Sequence, residues 1–557
     1  MAEDIAARGL TVVRDDEGLL PLDREQDWLL VQLFDSLHRY DRGPTRGKAI
    51  LAEMSGLGFG KLKGLALHAN AEADVAELAA QTIAGNKRVI LAMHVGVRSY
   101  AGKVGLPSVF DPVMDALGQV PHLVSVSFGS PYLIPERAKV GEESLPDTYI
   151  CAYASCPPTE VAVARLLAGR AGATGRLPVS IPGVAPAGAG LMVLPERAPL
   201  RGDPVQEGVD PGLGDEISKL LVAAVAERIF PGAVCLVARN GRVLFEVAAG
   251  SESYAAEAPV VRTDTLYDLA SLTKVCATTP VILALVDQGV LQLDDPVQRW
   301  VPEFAGPNKE QVQIRHLLAH SGGLKSYVRY FRTLSGKDEL LAAAGSEELG
   351  SEPGSGVTYS DLGFMLLMAV AEAATRESFP DLAQRLVFDP LEMSQAAFAP
   401  TTAAPLVAAP TEKVPATDTF KRGYVHDENA FAMGGVSGHA GLFATAEDIA
   451  RFGIAMMAGG RGHWSRSTLE QALQSQQEVG SRRGLGFDLL REGWAGSSFG
   501  EGAFGHTGFT GTSLWCDPQS GVCVVLLTNR VHPTRENSRI RGVRAALHDL
   551  VMHCVER

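Results

Sequence analysis

No apolar run in the chain approaches the ~18 to 20 residues that a membrane helix needs, which excludes an α-helical span. Clusters of lysine and arginine are missing as well. With 50 Lys and Arg against 64 Asp and Glu, the net charge is −14, so nucleic acid is excluded as a partner: a phosphate-binding surface needs clustered cations. Aromatic residues make up only 6% of the chain. The cysteines, at positions 151, 156, 235, 276, 516, 523 and 554, are odd in number and lack metal-ligand spacing. They read as buried thiols of a reducing compartment, not as a disulfide framework or a zinc site. The N-terminus, Met-Ala-Glu-Asp-Ile-Ala-Ala-Arg, lacks the basic start and apolar core of a signal peptide. As written, the chain is expected to be cytoplasmic, or else a piece of a longer product.

What is present is a globular composition, 46% hydrophobic and 20% charged over 557 residues. At roughly 150 residues per domain this implies two to four units. In the opening part, Trp28 to Phe34, Arg88 to His94, Leu123 to Phe128 and Tyr149 to Ala152 are short apolar runs that predict buried strands. Asp74 to Ala84 and Thr159 to Ala168 carry apolar residues at helical spacing. Strands alternating with helices predict an α/β domain with a largely parallel sheet sandwiched between helices. Gly56-Leu-Gly-Phe-Gly60 has neither the Walker nor the dinucleotide spacing, so no nucleotide site is expected there. Leu10 to Leu22, Val126-Ser-Phe-Gly-Ser-Pro-Tyr132 and Gly175-Arg-Leu-Pro-Val-Ser-Ile-Pro-Gly183 resemble the C-terminal α/β domain of glycoside hydrolase family 3, in particular its β-N-acetylglucosaminidase branch. In that family the catalytic barrel precedes this domain, and no barrel is present in this sequence. Glycoside hydrolysis normally needs two placed carboxyl groups, and none can be nominated. Residues 1–200 are therefore expected to be a scaffold, or a docking domain for a separately encoded glycosidase barrel.

Residues 201–214 combine Pro, Gly and charge, which predicts a linker. Beyond it, Gly232 to Arg239 and Arg242 to Val247 are joined by Asn240-Gly241, a strong hairpin signal because both turn residues need positive φ. Next comes Asp268-Leu-Ala-Ser-Leu-Thr-Lys274, at the start of an apolar helix that stops near Gly289 and is interrupted by Pro280. Ser271 and Lys274 are three residues apart, so on a helix the amine reaches the hydroxyl that it would activate. A Ser-x-x-Lys pattern arises by chance about once or twice in a chain this long, and its context has to carry it. That context is Leu317-Leu-Ala-His-Ser-Gly-Gly-Leu324, then Tyr359-Ser-Asp361 before an apolar helix, then His506-Thr-Gly508 before a strand pair.

In this order the three elements resemble the active site of the class C β-lactamase-like serine hydrolases, a group that includes DD-peptidases, carboxylesterases and cell-wall amidases. The resemblance covers about residues 215–550, within a domain expected over 215–557, and implies an α+β fold with an antiparallel sheet flanked by helices. It implies Ser271 as nucleophile and Lys274 and Tyr359 as the groups sharing the proton traffic. The backbone amides of Ser271 and Phe509, the latter on an edge strand, would form the oxyanion hole. Asp361, His506, Thr507 and Gly508 would bind substrate. Two positions depart from the β-lactamase pattern: Asp361 stands where Asn is common, and His506 where Lys is usual, which exchanges a permanent charge for one expected to titrate near neutral pH. His426, Asp427 and His439 lie in the Gly-rich stretch to Phe443. Their spacing fits no metal pattern, so they predict a structural loop, with no metal and no cofactor. The combined expectation is an acyl-enzyme hydrolase of peptidoglycan-derived peptides, a D-Ala carboxypeptidase or a muropeptide amidase. Its rivals are a carboxylesterase and a non-enzymatic sensor or scaffold for cell-wall fragments.

Overall fold

The apolar runs at the start of the chain are strands of one sheet, and their apolarity is continuous because both faces of that sheet are covered. The computed structural model describes residues 2–35, 46–96, 105–133, 146–195, 201–398, 408–415, 417–476, 482–489 and 495–555. It separates into two units, Met1–Ala198 and Pro199–Arg557. In the first, β1 (Thr11–Asp15), β2 (Leu29–Phe34), β3 (Lys63–His68), β4 (Arg88–His94), β5 (His122–Ser127) and β6 (Thr148–Cys151) take the order β1-β6-β5-β4-β2-β3. All pairs are parallel except β1 with β6. Leu30, Ile90 and Val124 pack with Ile50, Met54 and Val163 on one face, and Leu29, Val89 and Leu91 pack with Ala76, Ile83 and Phe110 on the other.

The helices expected over 74–84 and 159–168 run from Ala73 to Ala84 and from Pro157 to Leu167. In the latter, buried Glu160 accepts the amides of Gly47, Ala49 and Ile50 at 2.8, 3.0 and 3.4 Å, closing the N-terminus of helix Lys48–Gly56. Two strands were not foreseen. β3 is an edge strand with mostly exposed side chains, and β1 is the antiparallel strand at the other edge.

Residues 201–214 correct the linker expectation. Gly202 donates to the Val243 carbonyl, Asp210 donates to that of Cys554, and Val209 and Leu213 enter the core of the second unit. Only 196–200, the residues just before, lie outside the described set. Polar, Pro-rich composition does not distinguish a tether from a strap whose few apolar residues are anchored.

In the second unit, β7 (Gly232–Arg239) and β8 (Arg242–Gly250) form the expected hairpin, with φ of +50° at Asn240 and +78° at Gly241. β9 (Tyr267–Asp268), β10 (Ala397–Phe398) and β11 (Leu442–Ala444) make a small sheet in the order β10-β11-β9. β12 (Asp488–Leu489), β13 (Phe504–Thr507), β14 (Ser513–Asp517) and β15 (Val522–Thr528) join the hairpin in an antiparallel sheet, β12-β13-β14-β15-β7-β8. The pleat sorts its residues between two faces. Cys235, Val237, Trp515, Val524 and Leu526 face helices Leu213–Ala226 and Ile540–His553. On the opposite face, helix Ala446–Met457 approaches so closely that a Cβ at Gly453 would lie 2.8 Å from Cys523 Sγ and 2.9 Å from Cys516 Sγ. All the cysteines are free, and Cys156 and Cys554, at helix ends, are only half-buried, contrary to expectation. Among the described residues, no helix is long and apolar enough to cross a membrane.

Candidate active site

Asp268, at the end of β9, is buried, and its carboxylate accepts the amide of Ala270 at 2.8 Å and that of His426 at 2.6 Å. These bonds hold Ala270 at φ +46°, a conformation that residues with a Cβ rarely adopt and that marks strained functional turns. Ser271 follows at once. The helix after it is not regular: Lys274–Thr278 is a π turn, and the α-helix proper runs from Thr279 to Asp287. This resolves Pro280. It stands in the first turn of the α segment, where the amide it lacks is not needed, and the wide π turn takes up the mismatch.

Lys274 is fully buried, and its Nζ donates to Ser271 Oγ at 3.0 Å and to the His439 carbonyl at 3.2 Å. The Asp361 carboxylate lies 2.7 Å from the same ammonium. The Tyr359 ring centre lies 4.9 Å from Lys274 Nζ, and its phenol interacts with both Lys274 and Ser271. Burial works against a charged Lys274, but Asp361 and Tyr359 outweigh it and hold the amine above its ordinary value. Burial also raises the Tyr359 phenol, with Lys274 opposing and Asp361 adding to the rise. Asp361 favours the protonated form of both groups. The expected substrate contact at Asp361 is thus committed to the lysine, with 18% of its side chain still exposed. Ser360, between Tyr359 and Asp361, caps helix Asp361–Thr375: its Oγ accepts the Gly363 amide and donates to the Lys325 carbonyl.

His506 and Thr507 lie in β13, which is second from the edge because the two-residue β12 lies outside it. Phe509 is therefore not on an edge strand; it sits in the turn that follows Gly508. That turn is tied to the segment before Ser271: Thr510 Oγ1 donates to the Asp268 carbonyl at 2.6 Å, and Thr512 Oγ1 to that of Leu269 at 3.0 Å. Gly508 permits this contact, since a Cβ there would lie 2.4 Å from Leu269 O. The amides of Ser271 and Phe509 have no hydrogen-bond partner among the described residues. His506 does not behave as expected. It is 2% exposed, and burial, with Arg483 and Lys274 acting against Asp488, pushes its imidazole down to about 4, so it is neutral near pH 7.

The motifs left several contributors unnamed. His320 accepts the Ser360 amide through Nδ1 at 2.9 Å, and its ring lies 4.4 Å from that of Tyr359. Asp268 shapes the turn that precedes Ser271. Arg483 has its guanidinium carbon 5.2 Å from the centre of the Tyr359 ring. His320 and Asp268 lie inside stretches that carry the motif, but nothing local marks Arg483. His439 Nε2 is 2.9 Å from Asp427 Oδ1, and its Nδ1 pairs with Ser437 Oγ. Asp361, Asp427 and His439 are the group of potential metal ligands found among the described residues. The cation beside this group is Lys274 itself.

Residues 217–548 match the protein family described as Beta-lactamase. A protein of Escherichia coli (strain K12), described as "Putative D-alanyl-D-alanine carboxypeptidase", is 32% identical over 349 residues, 54% of this chain and 79% of its own. The "N-acetylmuramyl-L-alanine amidase" of Bacillus subtilis (strain 168) is 30% identical over 347 residues, 54% of this chain and 78% of its own. Among solved structures, "EstCE1, a hydrolase with promiscuous acyltransferase activity" superposes with a TM-score of 0.51 at 25% identity, over 61% of this chain and 100% of that one.

Proposed function

The chain belongs to the Beta-lactamase family and is a serine hydrolase, and on that premise we propose that it cleaves an amide bond in peptidoglycan-derived peptides through an acyl-enzyme on Ser271. The observation that carries this reading is the junction of Lys274 Nζ, 3.0 Å from Ser271 Oγ, with the Tyr359 ring, its centre 4.9 Å from the same Nζ. In the proposed cycle, Tyr359 as phenolate takes the Ser271 proton while Oγ bonds to the carbonyl carbon. Lys274 stays an ammonium against Asp361 and steadies the phenolate. The unpaired amides of Ser271 and Phe509 receive the developing oxyanion. Tyr359 then gives the proton to the departing amine, and afterwards takes one from the attacking water and passes it to Ser271 Oγ as the acyl–Oγ bond breaks, which frees the acid and restores the hydroxyl.

The names borne by the E. coli and B. subtilis relatives support a cell-wall substrate, either a terminal D-Ala or the bond between sugar and peptide. Mass spectrometry of a defined muropeptide mixture tests this. The wild type is expected to remove D-Ala or to release the peptide from the sugar, and Ser271→Ala to do neither. If wild type leaves the mixture unchanged yet turns over short aryl esters, the carboxylesterase reading replaces it. For residues 1–200 we propose a scaffold like the C-terminal domain of family 3 glycosidases. A separately encoded glycosidase barrel that docks there is expected to co-purify with the chain.

A further inference from the structure

Arg483 is 5% exposed and bonded through Nη2 to Asp488 at 2.8 Å. Its Nη1 is buried and has no hydrogen-bond partner among the described residues. A buried guanidinium with an idle N–H is unfavourable, and such groups persist where their field is used. Its neighbour is Tyr359. The groups facing that side chain are Ser271 and Asp361, the ammonium of Lys274 at 4.9 Å from the ring centre, His320 at 4.4 Å, His506 at 5.9 Å and Arg483 at 5.2 Å. Burial, reinforced by Arg483 and Lys274, holds His320 well below its ordinary value, and His506 is likewise neutral near pH 7. The charge of Lys274 is met by Asp361 and that of Arg483 by Asp488. Among the described residues, Arg483 is then the second fixed cation on the ring, and the one with an N–H to spare.

We propose that Arg483 is a positioning residue for the catalytic base: packed on the Tyr359 ring, it holds the ring in place and favours the phenolate, bringing loss of the Tyr359 proton into the working pH range. This rests on the reading of Tyr359 as the base. Arg483 itself gains and loses no proton; the Ser271 proton passes to Tyr359 Oη and from there to the leaving group.

The test is the pH profile of kcat/KM for a short aryl ester, measured on the full chain so that it does not depend on the natural substrate. Arg483→Met is expected to move the acid limb upward by about one pH unit, a loss of about tenfold below the limb that is recovered at high pH. Arg483→Lys, which keeps the charge, is expected to restore most of the limb's position. A drop of equal size at every pH, with the limb unmoved, is the signature of a merely structural arginine and overturns the proposal. Tyr359→Phe separates the two layers of the argument. If it keeps the wild-type limb, the base reading fails and the proposal with it; if it loses the limb while Arg483→Met leaves it in place, the proposal alone fails. Should Arg483→Met not fold, Asp488→Asn, which strips the guanidinium of its counter-ion, is expected to move the limb downward, and an unmoved limb overturns the proposal.

Discussion

Asp361→Asn removes the carboxylate that lies 2.7 Å from Lys274 Nζ while keeping its shape. Lys274 is fully buried and Asp361 only 18% exposed, so water screens the pair little. At that separation Coulomb's law with an effective dielectric of about 20 sets an upper bound of ~6 kcal/mol. Shifts produced by an adjacent opposite charge are smaller, ~1 to 3 pKa units or ~1.4 to 4 kcal/mol. Asp361 raises both Lys274 and Tyr359, so its removal lowers both, and the acid limb of kcat/KM is expected to move to lower pH by ~1 to 3 units. The assay is again aryl-ester hydrolysis across pH. A limb that stays in place or moves upward refutes the reasoning, because it would mean that Asp361 does not hold the proton on Lys274. Stability follows with a fixed sign. The folded value of Lys274 lies above its unfolded one, so the pair's contribution is fully present below about pH 10 and is lost as pH rises through the folded value. Denaturant titrations should therefore show Asp361→Asn trailing the wild type at neutral pH and the gap closing at strongly alkaline pH.

Further outcomes follow from other contacts. Ser271→Ala is expected to abolish labelling by a fluorophosphonate probe while leaving the unfolding midpoint within about 1 kcal/mol of wild type, since it deletes one hydroxyl. Asp268→Ala strands the buried amides of Ala270 and His426, so chemical denaturation should show a loss of ~2 to 5 kcal/mol together with lost turnover. Gly508→Ala drives a Cβ against Leu269 O and Thr512 Oγ1; the turn bearing Phe509 must move, and kcat is expected to fall by ~10²-fold with KM changed far less. In the first unit, Glu160→Ala uncaps helix Lys48–Gly56. It is expected to lower stability by ~2 to 4 kcal/mol without altering ester hydrolysis.

The sequence was most legible where the chemistry is local. Asn240-Gly241 announces its hairpin because two consecutive positive φ angles admit few residues, and Ser271 with Lys274 announces itself because one turn of helix sets the distance between them. The strands β2, β4, β5 and β6 were visible because a sheet covered on both faces needs unbroken apolar runs. The edge strands β1 and β3 escaped notice, since a strand with one open side has no such pattern. The strap at 201–214 was misread for a similar reason: what makes it part of the second unit is where Val209 and Leu213 land, not its composition.

Charge state was decided at a further remove. A histidine at position 506 suggests titration near neutrality, yet burial between Tyr359, Arg483 and Lys274 leaves it neutral. The sequence by itself marked Ser271 and Lys274 as candidates, because three residues of spacing put them on one face of a helix and the Tyr359-Ser-Asp361 and His506-Thr-Gly508 stretches follow in order. Only the tertiary structure decided the charge environment of Lys274 and Tyr359. That depends on Asp361, 87 residues from Lys274 in sequence yet 2.7 Å away in space, and on Arg483, placed at the ring by a loop that no motif marks. Electrostatic energy falls off with distance through space, and separation along the chain does not enter it.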